Sequence, residues 1–227
     1  LKPSGIRKFF DLASQMDGVI SLGVGEPDFV TPWHVCEASL ASLERGYTGY
    51  TSNAGLIELR NEISRYLANR FQLCYEGEGE IIVTVGASQA IDLALRASID
   101  PGDEVLVVEP SFVAYSAIVS LAGGIPIAVP TSAENEFKLM AHQIEEKLTS
   151  KTKAIMLCFP NNPTGSTMGK EELKQIADIA ERHDLLILSD EIYAELSYDD
   201  EPHVSIASFP GMKERTIYIS GFSKAFA

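Results

Sequence analysis

Residues 154–190 read AIMLCFPNNPTGSTMGKEELKQIADIAERHDLLILSD, and this stretch decides the fold class. It holds two short apolar runs, 154–158 and 185–189, with an apolar stripe at helical spacing between them. The stripe consists of Leu173, Ile176, Ala177 and Ala180. Short continuous apolar runs are typical of strands buried on both faces, and the stripe is typical of a helix that packs on a sheet. The stretch therefore predicts a strand, a helix and a second strand.

The same alternation extends in both directions from this unit. Helical patterns cover residues 88–98, 112–122 and 170–182. The predicted strands are residues 80–85, 104–108, 125–129, 154–158, 185–189 and 216–220. Strands that alternate with helices form a mostly parallel sheet with helices on its faces. We therefore predict an α/β fold, a three-layer sandwich with a mostly parallel sheet.

The first part of the chain lacks this alternation. It contains a Gly- and Pro-rich stretch, a predicted helix and a loop, at residues 22–32, 33–45 and 46–55. An amphipathic helix is predicted over 56–70, with an apolar face made of Leu56, Leu59, Ile63 and Leu67. We interpret this part of the chain as an arm with flanking helices that pack on the α/β core.

The composition disfavours several classes of partner. The 227 residues carry a formal net charge of -14, so the chain repels phosphate backbones and nucleic-acid binding is not expected. No apolar run is long enough for a membrane span, and the N-terminus lacks the apolar core of a signal peptide. We expect a soluble cytoplasmic protein that does not bind membranes.

The cysteines and histidines show no metal-ligand spacing. The three cysteines are interpreted as reduced thiols: Cys36, Cys74 and Cys158. The four histidines are interpreted as surface or structural residues: His34, His142, His183 and His203. We therefore expect no metal.

Residues with useful chemistry follow four of the predicted strands. In an open α/β sheet, ligands bind at the carboxyl ends of the strands. There the sequence places Ala87 and Ser88 at a helix start, then Asn162, then Asp190 with Tyr193, and finally Lys224. Each of these alone is more often a turn, a cap or a solvated surface charge. Together they provide a phosphate cradle, an amide, a carboxylate with a tyrosine, and a nucleophilic amine, which suits a phosphorylated pyridine aldehyde.

Seven blocks of the sequence carry a family resemblance. They are LGVGEPDFVTP, YTSNAGLIELR, VTVGASQA, DPGDEVLVVEPSFVAY, NNPTG, SDEIYAEL and SGFSKAFA. In this order they resemble the class I/II aminotransferases of pyridoxal-phosphate fold type I. Within that family the sequence is most similar to the bacterial branch of N-acetyl-diaminopimelate and aspartate/aromatic aminotransferases. The resemblance implies a pyridoxal 5'-phosphate (PLP) enzyme of amino-acid metabolism with the fold type I large domain. Residues 1–45 would form an N-terminal arm and part of a small domain or interface. Residues 46–227 would form the PLP-binding large domain, which is incomplete here because the chain ends just after Lys224.

The resemblance implies roles for the strand-end residues. Lys224 would form the Schiff base with PLP and then move a proton between the substrate Cα and the cofactor C4′. Asp190 would pair with the pyridinium nitrogen. Asn162 and Tyr193 would hydrogen-bond the phenolic oxygen, and Asn162 would also border the substrate carboxylate. The implied catalytic residues are Lys224, Asp190 and Tyr193.

The resemblance also implies further contacts to the cofactor. Phe112 would stack on the pyridine ring. The phosphate ligands would be Ala87, Ser88 and Ser223. Ser220 is open as an additional or alternative donor, because Gly221 stands where the family often has serine or threonine.

Two N-terminal residues complete the implied site. Tyr50 matches a tyrosine that reaches the phosphate of the neighbouring subunit, which implies a homodimer with shared active sites. Gly25 lies in the segment that closes over the substrate.

The family pattern continues beyond this chain. It includes an arginine shortly past the lysine that binds the cofactor phosphate, and a small C-terminal domain with an arginine for the substrate α-carboxylate. This chain contains neither arginine, and the C-terminal small domain is absent from it. An antiparallel strand of the family also follows the lysine and lies between the first and sixth predicted strands, so we expect a gap in the sheet. We expect the chain to be part of a longer enzyme.

The resemblance leaves three functions open. The first is an aminotransferase that moves an amino group between an L-amino acid and a 2-oxo acid by a ping-pong mechanism. The second keeps PLP but changes the reaction, to a C–S β-lyase or a cyclopropane-carboxylate synthase. NNPTG with DEIYAEL favours transamination, because lyase relatives often vary the NPTG block. The third is a PLP-binding sensor domain without turnover, which the acidic charge and the start of the chain at the N-terminal arm disfavour.

Overall fold

The computed structural model of the chain describes residues 6–20, 25–198 and 202–227. Within them the chain forms eight α-helices and five β-strands. The helices are Ile6–Ala13 (α1), Trp33–Glu44 (α2), Ile57–Phe71 (α3), Gly86–Ser98 (α4), Ala114–Leu121 (α5), Ala141–Glu145 (α6), Lys170–Arg182 (α7) and Phe222–Ala225 (α8). The strands are Glu104–Glu109 (β1), Ile125–Pro130 (β2), Thr152–Cys158 (β3), Leu186–Asp190 (β4) and Thr216–Ile219 (β5).

The five strands form one parallel sheet in the order β2-β1-β3-β4-β5. All strands predicted from residue 104 onward are present, and helices lie between them as the alternation predicted. The predicted α/β fold with a parallel sheet is therefore confirmed. The prediction succeeds because strands covered on both faces need continuous apolar runs, which are visible in the sequence.

Alternate side chains of β1, β3 and β4 pack into two separate cores, one on each face of the sheet. On one face, Val105 and Val107 of β1 pack with α4 and α5 residues such as Leu95 and Tyr115. On the other face, the neighbouring β1 residues pack with α6 and α7. The predicted stripe of α7 is buried in that second core: Leu173, Ile176, Ala177 and Ala180. The helices thus form the outer layers of a three-layer sandwich.

The strand predicted at residues 80–85 is wrong. The N–H of Val83 donates to the carbonyl of Ala54 at 3.0 Å, and the N–H of Val85 donates to the side chain of Gln89. Val85 is exposed, and the described residues place no strand beside this segment or between it and β5. A strand requires a neighbouring strand that completes its hydrogen-bond ladder. The apolar residues of the segment itself do not show whether such a neighbour is present.

The predicted amphipathic helix is confirmed as α3. Leu67 is buried and Ile63 packs against the same cluster, but Leu56 precedes the helix and is exposed. The helix is joined to the turn after β4, because Tyr66 donates a hydrogen bond to Glu195 and Arg70 forms an ion pair with the same carboxylate at 2.9 Å. α3 therefore supports one side of the segment that follows β4.

α2 differs from the other long helices because it contains no buried residue. Trp33, at its start, is 71% exposed. The division of the chain between residues 45 and 46 stays a prediction. Within the described residues, no helix combines the length and the apolar character needed to cross a membrane.

Candidate active site

The carboxyl ends of three strands bring the predicted site residues together. Cys158 at the end of β3 lies beside Asp190 at the end of β4, and Asp190 lies beside Ile219 at the end of β5. The turn with NNPTG follows β3, the turn with Tyr193 follows β4, and α8 with Lys224 follows β5. Parallel strands end at the same edge of the sheet, so segments far apart in sequence meet there.

Asp190 is a buried carboxylate, only 4% exposed. Its Oδ2 accepts a hydrogen bond from the hydroxyl of Tyr115 at 2.7 Å, and its Oδ1 accepts one from the N–H of Ile192 at 3.2 Å. Burial raises the pKa of Asp190, and the two hydrogen bonds act against that rise. Within the part of the chain that the structure describes, no lysine, arginine or histidine forms an ion pair with Asp190. Such a group is a partner for a cation that enters the site.

Tyr115 lies in the site but is missing from the residues predicted above. Its side chain is fully buried in α5, and its ring meets the ring of Phe112 edge-on at a centroid distance of 5.6 Å. Burial, followed by the negative charge of Asp190, raises the pKa of Tyr115, so its hydroxyl remains a donor. The only sequence signal is the three-residue spacing from Phe112, which places both rings on one side of a helical turn.

Asn162 and Tyr193 meet across the ends of β3 and β4. The Nδ2 of Asn162 donates to the hydroxyl oxygen of Tyr193 at 3.3 Å. Burial is the main cause of a raised pKa of Tyr193, and the hydrogen bond from Asn162 lowers it. The Tyr193 hydroxyl is therefore protonated near neutral pH and can donate to a ligand oxygen.

The NNPTG turn holds Asn162 through its own hydrogen bonds. Asn161 is buried, and its N–H donates to the carbonyl of Ser166 at 2.9 Å. The N–H of Gly165 donates to the carbonyl of Asn161 at 2.8 Å, and the Asn161 side chain accepts from the hydroxyl of Thr164 at 3.1 Å. Gly165 has a φ of +72°, a conformation that favours glycine. The turn is thus a closed unit that presents Asn162 to the site.

Lys224 lies between the sheet edge and the N-terminal segment. Its Nζ donates a hydrogen bond to the carbonyl of Gly25 and lies 5.8 Å from the centre of the Tyr193 ring. The structure therefore brings Lys224 together with Gly25, Tyr193 and, through Tyr193, Asn162.

The start of α4 offers amide groups for an anion. Gly86 begins the helix with a φ of +76°, and the preceding residue, Val85, has no polar side-chain atom that could cap it. The first N–H groups of a helix have no partner within the helix, and the helix dipole favours negative charge there. Ala87 is half-buried and Ser88 is exposed at this position. α4 packs against β4 and β5, and Ala87 in its first turn packs against the core that contains Cys158 and Ile219 from the ends of β3 and β5.

Comparison with known proteins identifies the family. The model of the aminotransferase class I and II family matches residues 17–227. The chain belongs to this aminotransferase family. It is 66% identical over 227 residues to the "Putative aminotransferase YugH" of Bacillus subtilis, and 49% identical over 227 residues to the aspartate aminotransferase of Pyrococcus abyssi. Each of these alignments covers all of this chain and 58% of the relative, so the chain spans little more than half of their length.

A solved structure shares the fold. The aspartate aminotransferase of Thermus thermophilus with maleate is 39% identical to the chain, with a TM-score of 0.93. The alignment covers all of this chain and 59% of that one. The architecture described above is therefore that of the large domain of fold type I, of which this chain contains a part.

Three further residues implied by the aminotransferase resemblance form no side-chain hydrogen bond with Asp190, Asn162 or Lys224 in the described part of the chain. Tyr50 is fully exposed, and Ser223 is exposed on α8. The Ser220 hydroxyl donates to the carbonyl of Glu191 at 3.4 Å. The described residues contain no group of three or more histidine, cysteine or acidic side chains arranged for a metal ion.

Proposed function

We propose that this member of the aminotransferase family is a PLP-dependent aminotransferase. It would move an amino group between an L-amino acid and a 2-oxo acid by a ping-pong mechanism. The observation that carries the proposal is the buried carboxylate of Asp190, which has no cation partner among the described residues and shares a sheet edge with Lys224. The curated relatives named for aspartate and aromatic amino acids support transamination as the reaction.

The residues present fit PLP as a cofactor. A pyridinium nitrogen would provide the cation that the Asp190 carboxylate needs. The start of α4, with Ala87 and Ser88, suits a phosphate. The Lys224 amine suits an aldehyde. When bound, PLP supplies an electron-withdrawing ring that stabilises negative charge on the substrate Cα.

Each catalytic side chain then has a defined task. Lys224 would hold the cofactor at its aldehyde carbon and would move the proton between the substrate Cα and the cofactor C4′. Asp190 would accept a hydrogen bond from the ring nitrogen and keep that nitrogen protonated. Tyr193 and Asn162 donate to the phenolic oxygen of the ring, and Asn162 also borders the substrate carboxylate.

The remaining contacts are proposed from the family motifs. Phe112 stacks on the ring, and its edge-on contact with Tyr115 fixes its orientation. Ser223 adds a hydroxyl to the phosphate, and Gly25 borders the substrate. The carbonyl of Gly25 already contacts Lys224, which supports its place at the site.

We also propose a homodimer with shared active sites. The full exposure of Tyr50 leaves its hydroxyl available to the phosphate of a second copy. The absence of buried residues in α2 supports the assignment of residues 1–45 to an arm and interface. A cytoplasmic location stays a prediction from composition.

An absorbance spectrum of the full-length protein tests the function. The protein is purified with PLP and measured before and after L-glutamate is added without an oxo acid. We expect the long-wavelength band of lysine-bound cofactor to convert to the shorter-wavelength band of the amine form, with release of 2-oxoglutarate. A stable long-wavelength band with every amino acid tested would contradict transamination, and absence of that band would contradict the role of Lys224.

A further inference from the structure

A second carboxylate is buried directly beside Asp190. Glu191 is 2% exposed, and its carboxylate is surrounded by donors. Its Oε1 accepts hydrogen bonds from the hydroxyls of Ser189 at 2.8 Å and Ser205 at 2.6 Å. Its Oε2 lies 2.6 Å from the Nε2 of His203, which is also mostly buried. A carboxylate with this many donors is stabilised despite its burial.

The arrangement is not that of a nucleophile and its base. Both hydroxyls donate to the carboxylate of Glu191, and neither is bonded to the imidazole of His203. The His203 ring also packs edge-on against Phe71 of α3 at 5.7 Å, which holds it in place. The cluster of Glu191, Ser189, Ser205 and His203, called here the Glu191 cluster, is therefore suited to holding parts of the chain together.

The Glu191 cluster lies on the opposite side of the chain from the candidate active site. Successive residues of extended chain point to opposite faces, so Ser189 and Glu191 share one side and Asp190 faces the other. Accordingly, Asp190 bonds Tyr115 in the core of α4 and α5, and Ser205 precedes a short helical turn whose Ile206 lies in the core of α7. A displacement of Glu191 would therefore also displace Asp190, because a single peptide unit joins the two residues.

The backbone of Glu191 is also joined to the turn that carries Tyr193. Its N–H donates to the carbonyl of Ile219 at 2.7 Å, which ties it to the end of β5. Its carbonyl accepts from the N–H of Ala194 at 3.0 Å, which closes the turn. Asp190 precedes Glu191, and Tyr193 lies within the turn that Glu191 closes. The backbone hydrogen bonds of Glu191 therefore fix the chain at Asp190 and in the turn that contains Tyr193.

We infer that Glu191 is a positioning residue for the proposed reaction: its carboxylate, held by Ser189, Ser205 and His203, fixes the chain so that Asp190 and Tyr193 face the cofactor. The inference rests on the proposed function, because it concerns the two residues assigned to the pyridine ring.

Substitution of Glu191 by glutamine distinguishes a positioning role of its carboxylate from an effect of its charge on the pKa of Asp190. Burial is the main cause of the raised pKa of Asp190, and the negative charge of Glu191 adds to it. In Glu191→Gln that repulsion is lost, which by itself favours the ionised Asp190 that the reaction needs. A loss of function in this variant must then come from displaced side chains.

The test uses the full-length PLP-loaded enzyme and the variant Glu191→Gln. The absorbance of the bound cofactor is titrated with pH, and kcat and KM are measured. Asp190 would keep the ring nitrogen protonated and Tyr193 would donate to the phenolic oxygen, and both effects lower the pKa of the lysine-linked nitrogen. Displacement of these side chains should therefore raise the pH midpoint of the absorbance change. We expect that upward shift together with a fall in kcat of roughly tenfold or more, since small misplacements of catalytic groups are costly.

The matched control is Glu145→Gln, which makes the same change in α6. Glu145 is half-exposed and pairs with Arg182 at 2.7 Å, far from β4 in the sequence and outside the candidate site. This control should keep the wild-type midpoint and kcat. A wild-type midpoint and kcat in Glu191→Gln would overturn the inference.

A milder variant covers the case in which Glu191→Gln does not yield folded enzyme. Ser205→Ala removes one donor and keeps the Glu191 charge, so we expect a smaller shift of the midpoint in the same direction. Wild-type values in Ser205→Ala would then overturn the inference. Failure of the proposed function itself is distinguishable in the wild-type enzyme, which would then show no lysine-bound cofactor band or would keep that band with every amino acid tested.

Discussion

The two sides of the candidate active site differ in how they are held. The sheet side, with Asp190 and Tyr115, is buried, and the two residues are hydrogen-bonded beside the core of α4 and α5. The N-terminal side, with Gly25, Tyr50 and α2, is mostly exposed and packs little against the rest of the described chain. Lys224 touches both sides, through Gly25 and Tyr193. The sheet side is thus organised within this chain, whereas the N-terminal side leaves apolar side chains such as Trp33 and Leu40 exposed.

The largest effect is expected at the residue that joins the two sides. Lys224→Ala should abolish covalent binding of the cofactor and reduce turnover by roughly a thousandfold or more. The check is the long-wavelength band and the rate of amino transfer in the full-length enzyme. Lys174→Ala, an exposed lysine of α7, is the control. Turnover near the wild-type value in Lys224→Ala would refute the assignment.

The second-largest effect is expected at the buried carboxylate of Asp190 on the sheet side. Asp190→Asn should keep the lysine-bound cofactor but lower kcat by about 100-fold or more, because the ring nitrogen is no longer held protonated. Steady-state kinetics and the spectrum are measured together, with the exposed Asp184→Asn as control. An unchanged kcat would remove Asp190 from its proposed role.

A stability comparison tests the difference between the two sides directly. Ile176→Ala empties a fully buried position of α7 and should lower the free energy of unfolding by about 2–5 kcal/mol. Leu40→Ala in α2 changes a side chain that is 54% exposed and should cost less than about 1 kcal/mol. Denaturant unfolding measures the change in the free energy of unfolding for both variants. If Leu40→Ala lowers the free energy of unfolding as much as Ile176→Ala does, other parts of the full-length protein bury α2.

The hydrogen bond from Tyr115 should have a smaller effect. Tyr115→Phe removes a donor to Asp190 and should lower kcat by about tenfold, equivalent to ~1.4 kcal/mol for a bond to a charged group. KM should change less, because Tyr115 contacts Asp190 and not the substrate. The exposed Tyr198→Phe is the control, and equal kinetics in the two variants would contradict a role for Tyr115.

The smallest effect is expected on the N-terminal side. Tyr50→Phe should weaken binding of PLP by about fivefold, the value of one neutral hydrogen bond, with little change in kcat. Titration of the apoenzyme with PLP measures the Kd, with the neighbouring Tyr47→Phe as control. If Tyr50→Phe binds PLP as the wild type does, the proposed contact across the dimer is wrong.

Much of the fold and most of the clustered site residues could be predicted from the sequence. The runs that became β1 to β5 are continuously apolar, and the polar residues after them lie at the carboxyl ends where parallel strands converge. The strand at 80–85 could not be predicted correctly, because its existence depends on a neighbouring strand and not on its own residues. His203 was expected to be surface or structural, and the structure places it in a buried structural cluster.

The sequence by itself determined which polar residues follow β3, β4 and β5, because periodicity and turn residues are local properties of the chain. It thereby placed Asn162, Asp190, Tyr193 and Lys224 at one edge of the sheet. Only the tertiary structure decided which buried groups support them. The bond from Tyr115 to Asp190 and the contact of His203 with Glu191 join residues that no local pattern relates. Such contacts depend on the packing of separate layers, which forms only when the whole domain is folded.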